Sequence, residues 1–260
     1  MKKQITNNLI ISCTLLLILF NINGNNLSAQ EKKETLSIGM ISYFDKWNVS
    51  REKHVSIGSS NTYWDPKTLE DNKSDLGFIM GPEIVFSYEG AFVRGFYLLG
   101  SNKFNNDGKG MRKILGFDIG YEQIIGCFIG YRNINFNFSN FQSDSITDHT
   151  ISNVILGISL GTKQEKTGFN IKLEMILGLK GLFNAFDEEK FIKSTSIGEG
   201  ELNFGYRFKT LPFCINIGYR IWYYSKLDSE YKNIAYITTN ILETLDHWGH
   251  GVTLKVIYNF

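Results

Sequence analysis

The chain has 260 residues, with 27 lysines and arginines against 26 aspartates and glutamates, and a formal net charge of +1 at pH 7. A nearly balanced charge lacks the basic excess that nucleic-acid binding needs, so nucleic acid is not an expected partner. Only three prolines, 25 glycines and 14% aromatic residues are typical of a chain with many strands and argue against disorder.

The first 29 residues predict a secretory signal peptide. Lys2 and Lys3 give a positive start, residues 9–20 form an almost continuous apolar run, and residues 27–29 resemble a small-residue cleavage site. The run is shorter than the roughly 18 residues of a membrane-spanning helix. We therefore expect residues 1–29 to be removed and residues 30–260 to form a single domain.

Ten later segments alternate apolar and polar residues with a period of two, which predicts β-strands. They cover residues 35–44, 76–88, 91–101, 113–122, 125–138, 150–162, 168–180, 195–208, 212–225 and 248–260. In the clearest of them Phe169 and Ile171 alternate with Asn170 and Lys172. Pro82 interrupts the second segment and predicts a bulge there, because proline cannot donate to a sheet ladder.

The connections between these strands alternate in length. The odd-numbered connections are long, at residues 45–75, 102–112, 139–149, 181–194 and 226–247. The even-numbered connections are short, at residues 89–90, 123–124, 163–167 and 209–211. In an antiparallel meander the two sets lie at opposite ends, and this asymmetry is typical of outer-membrane β-barrels. The first long connection is predicted to contain a hairpin around residues 55–64.

The apolar face of each strand decides between a soluble and a membrane barrel. A soluble barrel buries that face inside, whereas a membrane barrel turns it outward to lipid. Here the apolar faces are nearly free of charge over about ten residues, enough to cross a membrane at about 45°. Aromatic residues near strand ends predict interfacial girdles: Tyr43, Phe44, Tyr88, Phe138, Phe208, Phe213, Tyr223, Tyr258 and Phe260. These features favour the membrane barrel, with outer-membrane lipid as its partner.

The polar faces then form the barrel interior, and they carry full charges. The predicted interior charges are Asp118, Arg132, Lys172, Glu174, Glu201, Arg207, Arg220 and Lys255. A water-filled channel needs about sixteen strands, so a ten-stranded barrel is expected to fill its interior with side chains. Buried charges need partners. The sequence therefore predicts a salt-bridge network rather than an open pore.

The last segment of the sequence alternates strictly and ends on an aromatic residue. Its apolar positions are Val252, Leu254, Val256, Tyr258 and Phe260. We expect this strand to pair with the first one and so to close the barrel. The pattern resembles that of the outer-membrane β-barrel proteins of Gram-negative bacteria, whose final strand ends in Phe, although Lys255 stands where that family often has glycine. The resemblance implies that the barrel assembly machinery reads this strand, and that the protein lies in the outer membrane with periplasmic termini.

Few residues suggest catalysis. Asp148–His149 and Asp246–His247 lie at the ends of predicted long connections, and the ten-stranded outer-membrane proteases use Asp and His near that rim. No extended match to the motifs of those proteases is present, so these four residues are weak catalytic candidates. His247 and His250 would face opposite sides of a strand and could not share a metal ion. No cofactor motif is present, and no cofactor or metal is expected.

Cys127 and Cys214 fall on predicted strands that are not neighbours, so they are expected to stay unbridged. The sequence thus predicts an all-β transmembrane barrel with a structural or surface-binding role. The alternatives are a narrow channel or transporter, and a hydrolase active at the rim.

Overall fold

The computed structural model describes residues 35–57, 67–105, 108–140, 148–162, 168–179, 193–208, 210–211, 213–234 and 237–259. The predicted signal peptide and Phe260 lie outside the described residues. Within these ranges no helix is long and apolar enough to cross a membrane.

The described chain consists of antiparallel strands joined into one sheet. The strands are β1 (Thr35–Ile57), β2 (Lys67–Lys73), β3 (Gly77–Tyr88), β4 (Ala91–Lys103), β5 (Lys109–Glu122), β6 (Ile125–Ser139), β7 (His149–Gly161), β8 (Gly168–Gly178), β9 (Lys193–Arg207), β10 (Phe213–Ile234) and β11 (Ile237–Asn259). The ten predicted strands and the all-β fold class are confirmed.

The sheet closes into a barrel through β1 and β11. Their pairing runs from Ser37↔Asn259 to Ile57↔Thr239 without a break. On its other side β1 pairs first with β3 and then, further along, with β2. Because β2 and β3 occupy one strand position in succession, the wall has ten positions.

Two of the predicted long connections are largely strand in the structure. The connection predicted at residues 226–247 is replaced by the extended hairpin of β10 and β11, and β1 and β2 form a second hairpin within residues 45–75. The sequence missed these extensions because outward positions stop being apolar where the lipid ends, although backbone pairing continues. The turn of the β1–β2 hairpin, including most of the predicted hairpin at residues 55–64, lies outside the described residues.

The turn between β3 and β4 lies at the end of the barrel that carries the short connections. Glu89 and Gly90 join β3 to β4 with φ values of 49° and 91°, and positive φ at both central positions is what a type I′ hairpin turn requires. Nearby, the pairing of β3 with β4 is interrupted at Gly81 and Pro82, while both residues still pair with β1. The predicted bulge at Pro82 is absent, because Met80↔Leu99 and Glu83↔Phe96 keep the same register on either side of the interruption.

The outer surface of the wall is apolar around the whole barrel. Its large exposed side chains include Met40, Ile84, Phe117, Leu177 and Ile221, with exposed fractions of 42% to 64%. An exposed apolar surface that encircles a protein would be costly in water, and a closed sheet satisfies all backbone groups in lipid. The barrel therefore spans a membrane, with these side chains, here called the apolar belt, in contact with lipid.

The interior is mixed rather than uniformly polar. Buried apolar side chains such as Ile79, Leu98, Ile114, Ile134 and Ile155 fill the space between charged groups. The inward glycines make room for some of the interior rings. A Cβ at Gly116 would collide with the ring of Phe96, and the missing side chain lets that ring lie across the lumen.

Candidate functional site

The centre of the barrel is built around Asp118 on β5. Its carboxylate is completely buried and accepts a hydrogen bond from Arg94 Nε on β4 over 2.7 Å. Arg132 on β6 donates to both carboxylate oxygens through its two terminal nitrogens. The Arg132 guanidinium also lies 4.8 Å from the centre of the Phe96 ring. One carboxylate thus joins two buried arginines from neighbouring strands.

Arg94 also connects the centre to the opposite wall. Arg94 donates from Nη1 and Nη2 to the two oxygens of Glu174 on β8, over 3.1 and 2.9 Å. Such two-pronged contacts are among the stronger ion pairs in proteins. Lys172 Nζ lies 3.2 Å from Glu174 and 2.7 Å from Glu122 on β5. This group crosses the lumen and ties β4, β5, β6 and β8 together.

A second ionic group lies on β9, β10 and β11. Lys255 Nζ lies 2.6 Å from Glu201 Oε1, and Arg220 Nη2 lies 2.9 Å from Glu199 Oε2. Tyr224 Oη donates to the other Glu199 oxygen over 2.7 Å. We call the two groups together the ionic layer.

The ionic layer leaves very little open space. A cavity of about 20 Å³ lies between its two groups and is lined by Glu83, Arg94, Glu201 and Arg220 among others. That volume holds about one water molecule. The paired side chains of the layer therefore fill most of the space around this cavity.

A buried ion pair lies between the ionic layer and the long-connection end. Asp45 on β1 accepts hydrogen bonds from Arg112 Nη2 and from the indole nitrogen of Trp222, the latter over 3.0 Å. The Arg112 guanidinium lies 4.2 Å from the Trp222 ring centre and 5.5 Å from that of Trp47. Cation–π contacts of this kind favour a buried guanidinium.

An aromatic cluster closes the same end above this pair. Its members, here called the aromatic plug, are Trp47, Phe104, Phe136, Phe138, His149 and His247. Phe136 stacks on the His247 ring with a 4.1 Å separation and a 7° interplanar angle. Trp47, Phe136 and His247 are completely buried. The plug fills the lumen at this end.

Two histidines from distant strands meet inside the plug. His149 Nε2 and His247 Nε2 are 2.8 Å apart, and Trp47 Nε1 donates to His247 Nδ1 over 3.2 Å. An indole nitrogen only donates, so His247 Nδ1 accepts and its proton is assigned to Nε2. His247 then donates to His149, and the arrangement requires both rings to be neutral.

The four weak catalytic candidates lie on different faces of their strands. Consecutive residues of a strand face opposite sides, and Asp246 accepts a hydrogen bond from Tyr223 Oη on the outer surface, away from His247. Asp148 is exposed at the rim, where Asn137 Nδ2 and Phe138 N donate to it over 2.9 and 2.7 Å. The Asn137 bond and then the Phe138 bond hold the pKa of the Asp148 carboxyl below its usual value. The structure brings the histidines together and leaves the aspartates outside.

The predicted interior charges lie in the ionic layer, with one exception. Arg207, at the end of β9, is half-buried and lies outside the ion pairs described above. Two predicted girdle aromatics are corrected, because Tyr43 is buried inside the barrel and Phe138 packs inward against Trp47. Both lie on the inward face of their strands, so closeness to a strand end was a misleading signal.

Several interior charges were not predicted, including Arg94, Asp45, Arg112 and Glu199. Asp45 and Arg112 were assigned to connections whose predicted bounds were too wide. The signal that could have found Arg112 is its spacing of two from Ile114, which continues the inward face of β5.

The remaining candidate chemistry is sparse. Cys127 is half-buried and Cys214 buried, and both are free thiols. Among the described residues no group of three or more His, Cys, Asp and Glu side chains could hold a metal ion. His250 faces outward, where its Nδ1 lies 2.6 Å from Tyr219 Oη.

The closed wall of ten strand positions, the apolar exterior and the filled charged interior define a transmembrane β-barrel of the outer-membrane type. No protein-family model and no curated protein matches the chain. Among solved structures, the translocator domain of the autotransporter NalP from Neisseria meningitidis aligns with 98% of this chain and 98% of its own, at 9% identity and a TM-score of 0.36.

Two further solved structures come from Pseudomonas aeruginosa. A FadL homologue aligns with 87% of this chain and 90% of its own, at 6% identity and a TM-score of 0.31. The outer membrane protein OprG aligns with 87% of this chain and 95% of its own, at 10% identity and a TM-score of 0.24. The class assigned above rests on the closed sheet and its surface rather than on these distant likenesses.

Proposed function

We propose that this protein is a closed outer-membrane barrel that presents a binding surface outside the cell. The observation that carries the proposal is the length of three neighbouring strands. β1, β10 and β11 have 23, 22 and 23 residues, whereas about ten residues cross a membrane. About half of each strand therefore continues beyond the apolar belt.

These extensions form a sheet in their own right, here called the outer sheet, in the order β2–β1–β11–β10. Arg51 Nε on β1 donates to Glu243 Oε1 on β11 over 2.8 Å, an ion pair that joins two of its strands. About ten residues at roughly 3.3 Å each extend about 33 Å along the strand direction. A paired sheet holds its surface in a fixed shape, which a free loop of the same length would not.

The outer sheet also has edges suited to a partner. Within the described ranges, the ladder between β9 and β10 ends at Asp228↔Lys193, and β10 continues to Ile234 with β11 alone. An unpaired strand edge can accept an extended segment of another chain by strand addition. This geometry supports a protein or peptide partner.

The orientation is part of the proposal. We assign the long-connection end to the cell exterior and the short turns, with both ends of the described barrel, to the periplasm. Outer-membrane barrels carry short turns on the periplasmic side and longer connections outside. The outer sheet would then project from the cell surface.

A narrow channel is the second candidate, and the water-sized cavity among charged groups is the observation in its favour. The aromatic plug and the ionic layer would both have to move before solute could pass. The closed barrel is therefore the better-supported function.

Orientation and exposure are tested by cysteine labelling of intact cells. Glu52 lies exposed on the outer sheet and Glu89 lies exposed in the β3–β4 turn at the opposite end. In a chain whose own cysteines are replaced by serine, Glu52→Cys is expected to react with a membrane-impermeant maleimide on intact cells. Glu89→Cys is expected to react only after the outer membrane is permeabilised. The reverse pattern would refute the orientation.

A further inference from the structure

Five lysines gather on one side of the barrel at the border of the apolar belt. We call them the lysine band: Lys46, Lys73, Lys103, Lys109 and Lys113. All belong to the run of neighbouring strands β1, β2, β4 and β5. Lys113 is half-buried and the other four are exposed, all on the outer face of the wall. On β6 the cross-strand partners of Lys109 and Lys113 are the uncharged Ser139 and Asn135.

The register brings four of these lysines into a continuous row. Lys103 and Lys109 are direct cross-strand partners. Lys73 pairs with Asn48 on β1, so it is diagonal to Lys46, and Asn105 N donates to Lys73 O, which makes Lys73 diagonal to Lys103. Directly opposed side chains have Cβ atoms about 5 Å apart and diagonal ones about 7–8 Å.

Among the described residues the row contains more lysines than acids. Across the described part of the chain, no ion pair joins any of the five lysines to an acid. Asp75 is the direct cross-strand partner of Lys103, since its backbone N–H donates to Lys103 O, and Glu52 on β1 is another exposed acid among the described residues. Like charges directly opposed in a sheet are unfavourable, so the Lys103–Lys109 pair favours an anion between its two ammonium groups.

The depth of the row restricts what that anion can be. Below Lys46 the outward face of β1 continues with Phe44, and below Lys103 and Lys113 the outward positions include Leu99 and Leu115, all of them exposed apolar side chains. A ligand held by the lysines therefore lies with its remainder against the apolar belt. Lysine stems can follow such a surface while the ammonium group reaches the polar layer.

We propose that the lysine band binds the phosphate groups of the phosphorylated glycolipids that form the outer leaflet, with their acyl chains along the apolar belt below. The proposal rests on the orientation given above, because the same row facing the periplasm would meet a different leaflet. Each lysine supplies a positive charge at the head-group level, and clustered lysines beside a membrane attract anionic lipid. The glycolipid would cover the β1–β5 side of the barrel.

The test is a binding titration in detergent followed by native mass spectrometry. The probe is bisphosphorylated lipid A, compared with lipid A from which both phosphates have been removed. The wild-type protein is expected to bind the bisphosphorylated form. A variant with Lys46→Gln, Lys73→Gln, Lys103→Gln and Lys109→Gln is expected to bind it about tenfold more weakly or worse. The matched control replaces the same four lysines with arginine and is expected to bind like the wild type.

Equal binding by the glutamine variant and the wild type, or equal binding of the dephosphorylated lipid, would overturn the inference. Competition by millimolar inorganic phosphate with no preference for the lipid would show a free-anion site instead, and would also overturn it. Unchanged heat-dependent gel mobility shows that every variant is folded, because these side chains touch no interior group. If Glu52→Cys is labelled on intact cells but the wild-type protein does not bind lipid A, only the lysine-band proposal is refuted. If Glu52→Cys is not labelled, the orientation is refuted, and the glycolipid proposal that depends on it is refuted as well.

Discussion

Replacing Asp118 with asparagine is expected to lower the free energy of unfolding by about 3–5 kcal/mol, the usual cost of breaking a buried ion pair from one side. Asp118 is fully buried and bonds both Arg94 and Arg132. Arg94 keeps Glu174 after the change. Arg132 loses the charged partner that it has among the described residues, and its buried guanidinium is left uncompensated.

The measurement is urea unfolding of the refolded barrel in lipid vesicles, followed by tryptophan fluorescence. The control is Asp246→Asn, the same chemical change on the outer surface, where Tyr223 is the hydrogen-bond partner. The control is expected to change stability by no more than about 0.5 kcal/mol. Equal losses for the two variants would contradict a role for the ionic layer in holding the barrel together.

Charge can be separated from shape with a double variant. Asp118→Leu combined with Arg132→Met removes both charges and keeps apolar volume, and such replacements of a buried pair are often neutral. The double variant is therefore expected to recover much of the stability that Asp118→Asn loses. If the double variant is less stable than Asp118→Asn, the loss of stability comes from changed side-chain shape rather than from an unpaired charge.

No steady ion current is expected when the wild-type protein is inserted into a planar bilayer. The lumen is filled at two levels, by the aromatic plug and by the ionic layer, and the cavity within that layer has a volume of only about 20 Å³. A hydrated ion needs a continuous water path, which a ten-stranded barrel filled with side chains does not provide.

A sixteen-stranded porin inserted in the same bilayer provides the positive control, with currents expected to exceed those of this barrel by orders of magnitude. Insertion of the silent protein is verified by its heat-dependent gel mobility after recovery from the bilayer lipid. Steady open currents from the wild-type chain would contradict the closed interior and support the channel alternative.

The sequence predicted the strands inside the membrane well, for a physical reason. Side chains that face lipid are apolar, so the alternating Phe169, Ile171 and Leu173 identify β8 as a strand in the sequence. Beyond the belt that requirement ends. The outward side of β1 continues with Lys46 and Asn48, which carry no hydrophobic alternation although the strand runs on to Ile57.

The sequence predicted that the interior carries charged residues, but not which of them pair. Charged residues on the inward face, such as Lys172 and Glu174, could be recognised from alternation, but the partners across the lumen depend on register. Lys255 binds Glu201 two strands away, and no local pattern reveals this. The plug was missed because His149 and His247 are 98 residues apart and meet only when the barrel closes.

Two native tryptophans can show whether lipid contacts the outer face of the barrel and is kept out of its interior. Trp222 and Trp248 lie at the same level of neighbouring strands, since Trp222 pairs with Gly249 and Tyr223 with Trp248. Trp222 faces inward with 3% exposure and Trp248 faces outward with 44%. Two variants that each keep one of them, with every other tryptophan changed to phenylalanine, are placed in vesicles of phospholipid brominated near the head-group end of the chain.

Bromine quenches only tryptophans that contact the lipid. We expect strong quenching of Trp248 and little quenching of Trp222. Equal quenching of the two, or stronger quenching of Trp222, would contradict the assignment of the two faces. Absence of quenching for both would contradict the membrane barrel itself.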